Sequence, residues 1–147
     1  VSEFVVQMET ELEPQVAWAR LWDLDQHTAV IPLTTVTLDA PALALAAGAG
    51  FTGRTALGPV GFDDTMRVVV WEPPTTGEGR AVVAKSGALI GGRIEVIVVP
   101  FIGGGAQITW RQDVQLPWLP SRLSRLEGAA ARLAAPGYRR VLRTLLD

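Results

Sequence analysis

Four polar residues of this chain stand where chemistry can be asked of them. Asp63-Asp64 opens an apolar run, "DDTMRVVVWE". If Met66, Val68 and Val70 face inward, the two-residue period of a strand sends Asp64 inward and Asp63 outward. A carboxyl group aimed into an apolar space has a raised pKa and can act as a general acid or base, whereas at a wet strand end it is simply solvated. His27 is the only histidine, and Asp23 or Asp25 could orient it for proton transfer. It reads equally as a helix-turn residue at the surface or at a pocket rim. Gln112 shares the phase of Trp110 and Val114, which makes it the one polar position on the inner face of its strand, suited to a ligand or to a buried water. Arg54 could pair with an acidic ligand or with Asp64, although its phase, opposite to Phe51 and Thr55, points it outward.

A fifth candidate is a pattern rather than a side chain. Gly48-x-Gly50-x-x-Gly53 has the spacing of a dinucleotide-binding loop, and the acid Glu72 follows at some distance. That chemistry needs a helix starting at the glycines, because the pyrophosphate rests on the helix N-terminus. The residues that follow, "RTALGPVGFDD", carry Gly58, Pro59 and Gly61, which break any helix before three turns. Glu72 leads into Pro73-Pro74 and reads as a strand end. Gly48 and Gly50 are therefore expected in a turn, with Gly53 as a bulge or a close-packing point.

Composition removes other chemistries. There is no cysteine, so disulfides, thiolate metal sites and thiol nucleophiles are excluded. With one histidine and no cysteine no metal is expected, and no cofactor. The net charge of −2 argues against nucleic-acid binding. The longest uncharged stretches are too short for a membrane span and contain proline, so no integral membrane association is expected. The acids in "VSEFVVQMETE" are unlike a signal peptide, which suggests a cytoplasmic protein. Of the thirteen basic residues, Lys85 is the only lysine. The arginines Arg122, Arg125, Arg132, Arg139, Arg140 and Arg143 could form a membrane or phosphate patch, or a solvated helix face.

The elements that must position these residues follow from periodicity. Val5 to Leu12 suggests a strand. Pro14 suits a first helical position, with Trp18, Leu21 and Trp22 on one face of a short helix. A second short helix covers Asp25 to Val30. From Leu33 to Leu116 about six strands alternate with Gly/Pro turns, as in an antiparallel meander. After Pro117 and Pro120 the period becomes helical: Leu119, Leu123, Leu126, Ala130, Leu133 and Gly137 form one stripe, with a kink or restart at Pro136-Gly137. An apolar sheet face must be covered, and only this last helix is long enough. The 147 residues fit a single domain, 1–147, with an apolar pocket between sheet and helix.

The proline-started helix with Trp18, the strand "AGAGFTGR", the strand end Trp71 to Pro74 and the opening "GGGAQITW" of the last strand resemble, in order and spacing, the START-like, pollen-allergen-type helix-grip superfamily, and within it the bacterial polyketide cyclase and lipid-transport branch. The resemblance implies an α+β fold in which a seven-stranded antiparallel sheet wraps around the C-terminal helix and leaves a cavity for a hydrophobic ligand. It does not imply one reaction, since fold does not settle function.

The leading expectation is binding of a lipid, a polyketide or an aromatic compound. Met66, Val68, Ile94 and Val96 are expected near the cavity from the middle strands. Ile108, Trp110 and Gln112 are expected there from the last strand, and Leu126, Ala130 and Leu133 from the helix. The rival is a cyclase or dehydratase with Asp64 as acid/base and His27 or Arg54 polarising a carbonyl. A third reading is an interaction module using the outer sheet face or the arginine-bearing helix. A homodimer is compatible with all three.

Overall fold

The computed structural model describes residues 2–87 and 89–147. The opening strand β1 (Ser2–Thr10) is followed by two short helices, α1 (Pro14–Leu21) and α2 (Leu24–Val30). Pro14 starts α1, where its missing N–H costs no hydrogen bond. The Asp23 carboxylate accepts the Gln26 N–H and so caps α2. The chain then runs through β2 (Thr34–Leu38), β3 (Gly50–Leu57), β4 (Val60–Glu72), β5 (Gly79–Ser86), β6 (Gly91–Pro100) and β7 (Ala106–Val114). A single 3-10 turn at Ser121–Leu123 leads into the long helix α3 (Arg125–Leu146).

The strands form one antiparallel sheet in the order β1-β7-β6-β5-β4-β3-β2. Both edges are answered by side chains, as unpaired strand edges must be. At the β1 edge, Arg139 and Arg143 of α3 donate to the carbonyl oxygens of Gln7 and Glu9 at 3.2 and 3.3 Å. At the β2 edge, Thr28 Oγ1 accepts the Val36 N–H at 2.8 Å, and its hydroxyl lies 3.3 Å from the Val36 carbonyl oxygen. Two of the helix arginines thus have a structural task.

The dinucleotide pattern resolves into strand and hairpin. Gly48 lies in a turn with φ +89°, and β3 passes through Gly53 without interruption. The turn Gly58-Pro59 then returns the chain into β4. Gly53 is neither a bulge nor a close-packing point: its register with Val36 and Asp64 is regular. A Cβ there would meet Met66 and Thr34 only at an ordinary 3.8 Å.

A bulge does occur, but in β4. Pairing with β5 shifts between Val68 and Val70, so the inward phase of Asp64, Met66 and Val68 does not continue to Val70. Val70 instead lies opposite Val82, outside the core cluster, and Trp71 turns onto the inner face. There it meets Trp18 and Trp22 edge-on, with ring centroids 5.1 and 5.4 Å apart. The indole N–H groups of Trp18 and Trp22 find no acceptor among the described residues, so ring contact holds this cluster.

The helix also departs from expectation. It runs through Pro136 without a restart. The stripe facing the sheet is Ala131, Ala134, Tyr138, Leu142 and Leu145, close to one position C-terminal of the predicted one. Leu126 and Leu133 consequently point to solvent, 47% and 82% exposed. Thr28→Val, which keeps shape but removes the hydroxyl, leaves the Val36 N–H without its acceptor. It should lower unfolding stability by about 1–3 kcal/mol in urea titrations.

Candidate functional site

The space between the sheet and α3 is filled at one end and open at the other. Large side chains fill the first half: Trp18, Leu21 and Trp22 from the α1 segment, and Leu142, Leu145 and Leu146 from the end of α3, all buried. The first half of α3 packs only alanines, Ala130, Ala131, Ala134 and Ala135, against the core. Methyl groups cannot fill the width that leucines and tryptophans fill further along, and a cavity of about 390 Å³ remains.

Its floor is the inner face of the sheet. Phe51 and Gly53 from β3, Asp64 and Met66 from β4, Lys85 from β5, Ile94 from β6, and Trp110, Gln112 and Val114 from β7 all line it. Gly53 stands directly across from Asp64, and its missing side chain leaves that carboxylate open to the space. Tyr138, Ala134 and Ala130 form the roof, and Trp22 and His27 form a side wall.

Of the residues expected near the cavity, Met66, Ile94, Trp110, Gln112, Ala130, Asp64 and His27 do surround it. Five expected liners do not. Val68, Val96 and Ile108 belong to the solid half of the core, essentially without exposure. Leu126 and Leu133 lie on the outer face of α3 for the reason of phase given above. Arg54 also stands outside: it faces solvent and pairs with Asp63 at 3.2 Å, its cross-strand neighbour in the register. Neither that ion pair nor the Arg54 side chain reaches the cavity.

The strongest polar feature was not singled out from the sequence. Lys85 Nζ lies 2.6 Å from Asp64 Oδ2, with the lysine buried and the carboxylate nearly so. Burial is the largest single influence on the Lys85 ammonium and pulls its pKa down. The neighbouring Tyr138 and Asp64 together outweigh it, and the net direction is upward from 10.5. Lys85 is therefore a cation and a hydrogen-bond donor rather than a nucleophile. Asp64 Oδ1 has no hydrogen-bond partner among the described residues. The signal for Lys85 was present: in "RAVVAKS" it shares the inward phase of Ala81 and Val83, and it is the only lysine among thirteen basic residues.

A second polar group lies on β7. The Trp110 indole N–H donates to Gln112 Oε1 at 3.1 Å. That bond fixes the amide so that its NH₂ group is left for another partner, and it makes no hydrogen bond among the described residues. Tyr138 ties the two groups together, since its ring lies 5.7 Å from that of Trp110 while it neighbours Lys85. The wall opposite the roof of alanines thus combines apolar surface with donors from Lys85 and Gln112.

His27 Nε2 lies 2.6 Å from the Leu21 carbonyl oxygen. A carbonyl only accepts, so Nε2 carries the proton and Nδ1 is the bare nitrogen of the neutral ring. Burial lowers the His27 pKa below 6.5, and the Leu21 contact and Asp23 oppose this without overcoming it. The unfolded chain consequently takes up a proton more readily than the native one. Stability linked to His27 is intact above pH 6.5 and falls as the pH drops below it toward the lowered native value. Titrating the one imidazole by NMR should give a midpoint below 6.5, and His27→Gln should flatten the fall of stability on acidification. A midpoint at or above the free-histidine value would contradict the burial argument.

No group of three or more histidine, cysteine or carboxylate side chains that could hold a metal ion occurs among the described residues. No described helix is long and apolar enough to cross a membrane. No family model matches the chain, and no curated protein does. Solved structures do. The Zhui aromatase/cyclase from Streptomyces sp. R1128 is 12% identical, with 98% of this chain and 90% of that protein covered at a TM-score of 0.65. The allergen Ara h 8.0201 is 9% identical over 98% and 96%, at 0.68. A polyketide-cyclase-like protein from Corynebacterium glutamicum is 16% identical over 98% and 88%, at 0.61. At such low identity these likenesses concern the course of the chain, and they extend over nearly its whole length. The protein therefore shares the fold of these structures, a helix-grip arrangement of one antiparallel sheet around a long C-terminal helix.

Proposed function

We propose that the protein binds a small hydrophobic molecule, of the lipid, polyketide or aromatic class, in the cavity between its sheet and α3. The observation that carries this reading is a cavity of about 390 Å³, lined mostly by apolar and aromatic side chains but with buried donors on one wall. Burying apolar ligand surface contributes about 25 cal/mol per Å². The Gln112 amide and the Lys85 ammonium would then orient a ligand oxygen. A ligand without any acceptor would leave the Gln112 NH₂ unanswered, since only the Lys85 ammonium already has a partner in Asp64, and that costs affinity.

The test uses a probe, anilinonaphthalene sulfonate, and one variant. Ala134→Trp places an indole in the space that the alanines leave. It should weaken dye binding by more than about tenfold while leaving the far-ultraviolet circular dichroism unchanged. Equal dye affinity in a folded variant would place the ligand elsewhere. Mass spectrometry of whatever co-purifies with the wild type then identifies the natural class.

A second reading, cyclisation or dehydration of a bound polyketide, draws support from the Asp64–Lys85 pair beside Tyr138. A fixed ammonium in a dry site can stabilise charge developing on a carbonyl oxygen. Removing one partner would strand a buried charge, so both are replaced: Lys85→Met with Asp64→Leu substitutes apolar groups of similar size. Under this reading the double variant keeps dye affinity and loses turnover of an aromatic polyketone. Undiminished turnover would remove the pair from the chemistry.

A further inference from the structure

The antiparallel order places the turn before β2, the β3–β4 hairpin, the β5–β6 loop and the segment between β7 and α3 at the same end of the sheet. The cavity opens at that end. Its deep liners Trp22, Ile94, Trp110, Gln112 and Leu142 are buried, whereas Ile31, Phe62, Ile90 and Leu116, at the strand ends, are only half-buried.

The same loops carry exposed apolar side chains, each within two residues of a cavity liner. Leu33 follows Ile31, Leu57 follows Thr55, Val60 precedes Phe62, Leu89 precedes Ile90, and Trp118 follows Leu116. Leu57 and Val60 flank the tight turn at 71% and 73% exposure, and Trp118 is 59% exposed. Trp118 is not loosely placed: its indole N–H donates to the Leu89 carbonyl oxygen at 3.0 Å, which joins two of the mouth loops. Scattered exposed apolar residues need no explanation, but a ring of them around an apolar opening does.

The charge at this end has its own sign. Arg122 and Arg125, exposed in the segment that follows Trp118, make no salt bridge or side-chain hydrogen bond among the described residues. Of the acids at this end, Asp63 pairs with Arg54, Asp64 with Lys85, and Glu127 accepts the Leu116 N–H. A basic, apolar rim thus stands on a chain whose net charge is −2.

We propose that this rim is a docking surface for an anionic lipid bilayer. Tryptophan and leucine enter the headgroup boundary while arginines meet lipid phosphates, the usual composition of an interfacial anchor. Several protruding loop tips suit a yielding lipid surface better than the flat face of a protein partner. Docked this way, the mouth faces the hydrocarbon, and a poorly soluble molecule passes between bilayer and cavity without crossing water. Docking stands on the rim alone and is read without a cavity ligand, so its failure leaves the ligand proposal untouched, and the converse holds.

The experiment is co-sedimentation of the intact chain with phosphatidylcholine vesicles, with and without phosphatidylserine. The wild type should bind the anionic vesicles and bind the neutral ones much more weakly. Each of Arg122→Ser and Arg125→Ser should weaken anionic binding by about fivefold at low salt, and Trp118→Ser should weaken it at either composition. Arg140→Ser, which removes the same charge far from the mouth, should bind as the wild type does. A blue shift of tryptophan emission on vesicle addition should vanish in Trp118→Phe. No vesicle binding by the wild type, or equal losses from Arg140→Ser and the two rim arginines, would overturn the proposal. Binding that survives Trp118→Ser with no emission shift would overturn it as well.

Discussion

The distance between the sheet and α3 is one quantity that side chains of very different size must satisfy at once. At the far end Trp18, Trp22, Trp71, Leu142 and Leu145 pack into it, with Trp22 and Leu142 also bounding the cavity. A helix is stiff over its 22 residues, so its other half is held off the sheet by the same wedge, where it offers only alanines. Interiors tolerate few voids, and an apolar gap costs contacts that nothing returns unless a ligand fills it. The cavity is thus a consequence of the aromatic end, and the bulge in β4 that turns Trp71 inward is part of its cause.

Into this apolar setting the sheet places two charges. Taking Lys85 and Asp64 out of water is costly, and mutual attraction at 2.6 Å offsets that cost only with further polar partners nearby. Tyr138 is one such partner, and it belongs to α3 rather than to the sheet. The polar group therefore couples helix position to sheet position at the site where a ligand would sit. Gly53, opposite Asp64, keeps the approach to that carboxylate clear. A side chain there would be sterically permitted, with contacts no closer than 3.8 Å, so the glycine matters for the space it leaves and not for backbone strain.

The arginines of α3 and of the 3-10 turn before it divide by their surroundings. Arg139 and Arg143 close the edge of β1 by donating to its outward carbonyls, a task that any sheet with a bare edge requires. Arg122 and Arg125 lie at the opposite end, beside the cavity mouth, where no described acceptor holds them. One residue type in the C-terminal segment thus serves the fold at one end and faces outward at the other.

Sequence by itself determined the order of elements, the antiparallel meander, the covering helix and the failure of the dinucleotide pattern, because periodicity and Gly/Pro breakers act locally along the chain. It also fixed the inward phase of Asp64, Met66, Ile94, Trp110 and Gln112, since each follows from alternation within a regular stretch of strand, Asp64 and Met66 lying ahead of the β4 bulge. It misjudged Val70, because a bulge is an event between two strands, and Leu126 and Leu133, because several stripes one residue apart look alike on a helix with many alanines. Only the tertiary structure decided that Val68, Val96 and Ile108 lie in the closed part of the core while Met66 and Ile94 line the cavity. Only it brought Lys85, Asp64 and Tyr138 together: they come from two strands and a helix, and nothing local in the chain records that distance.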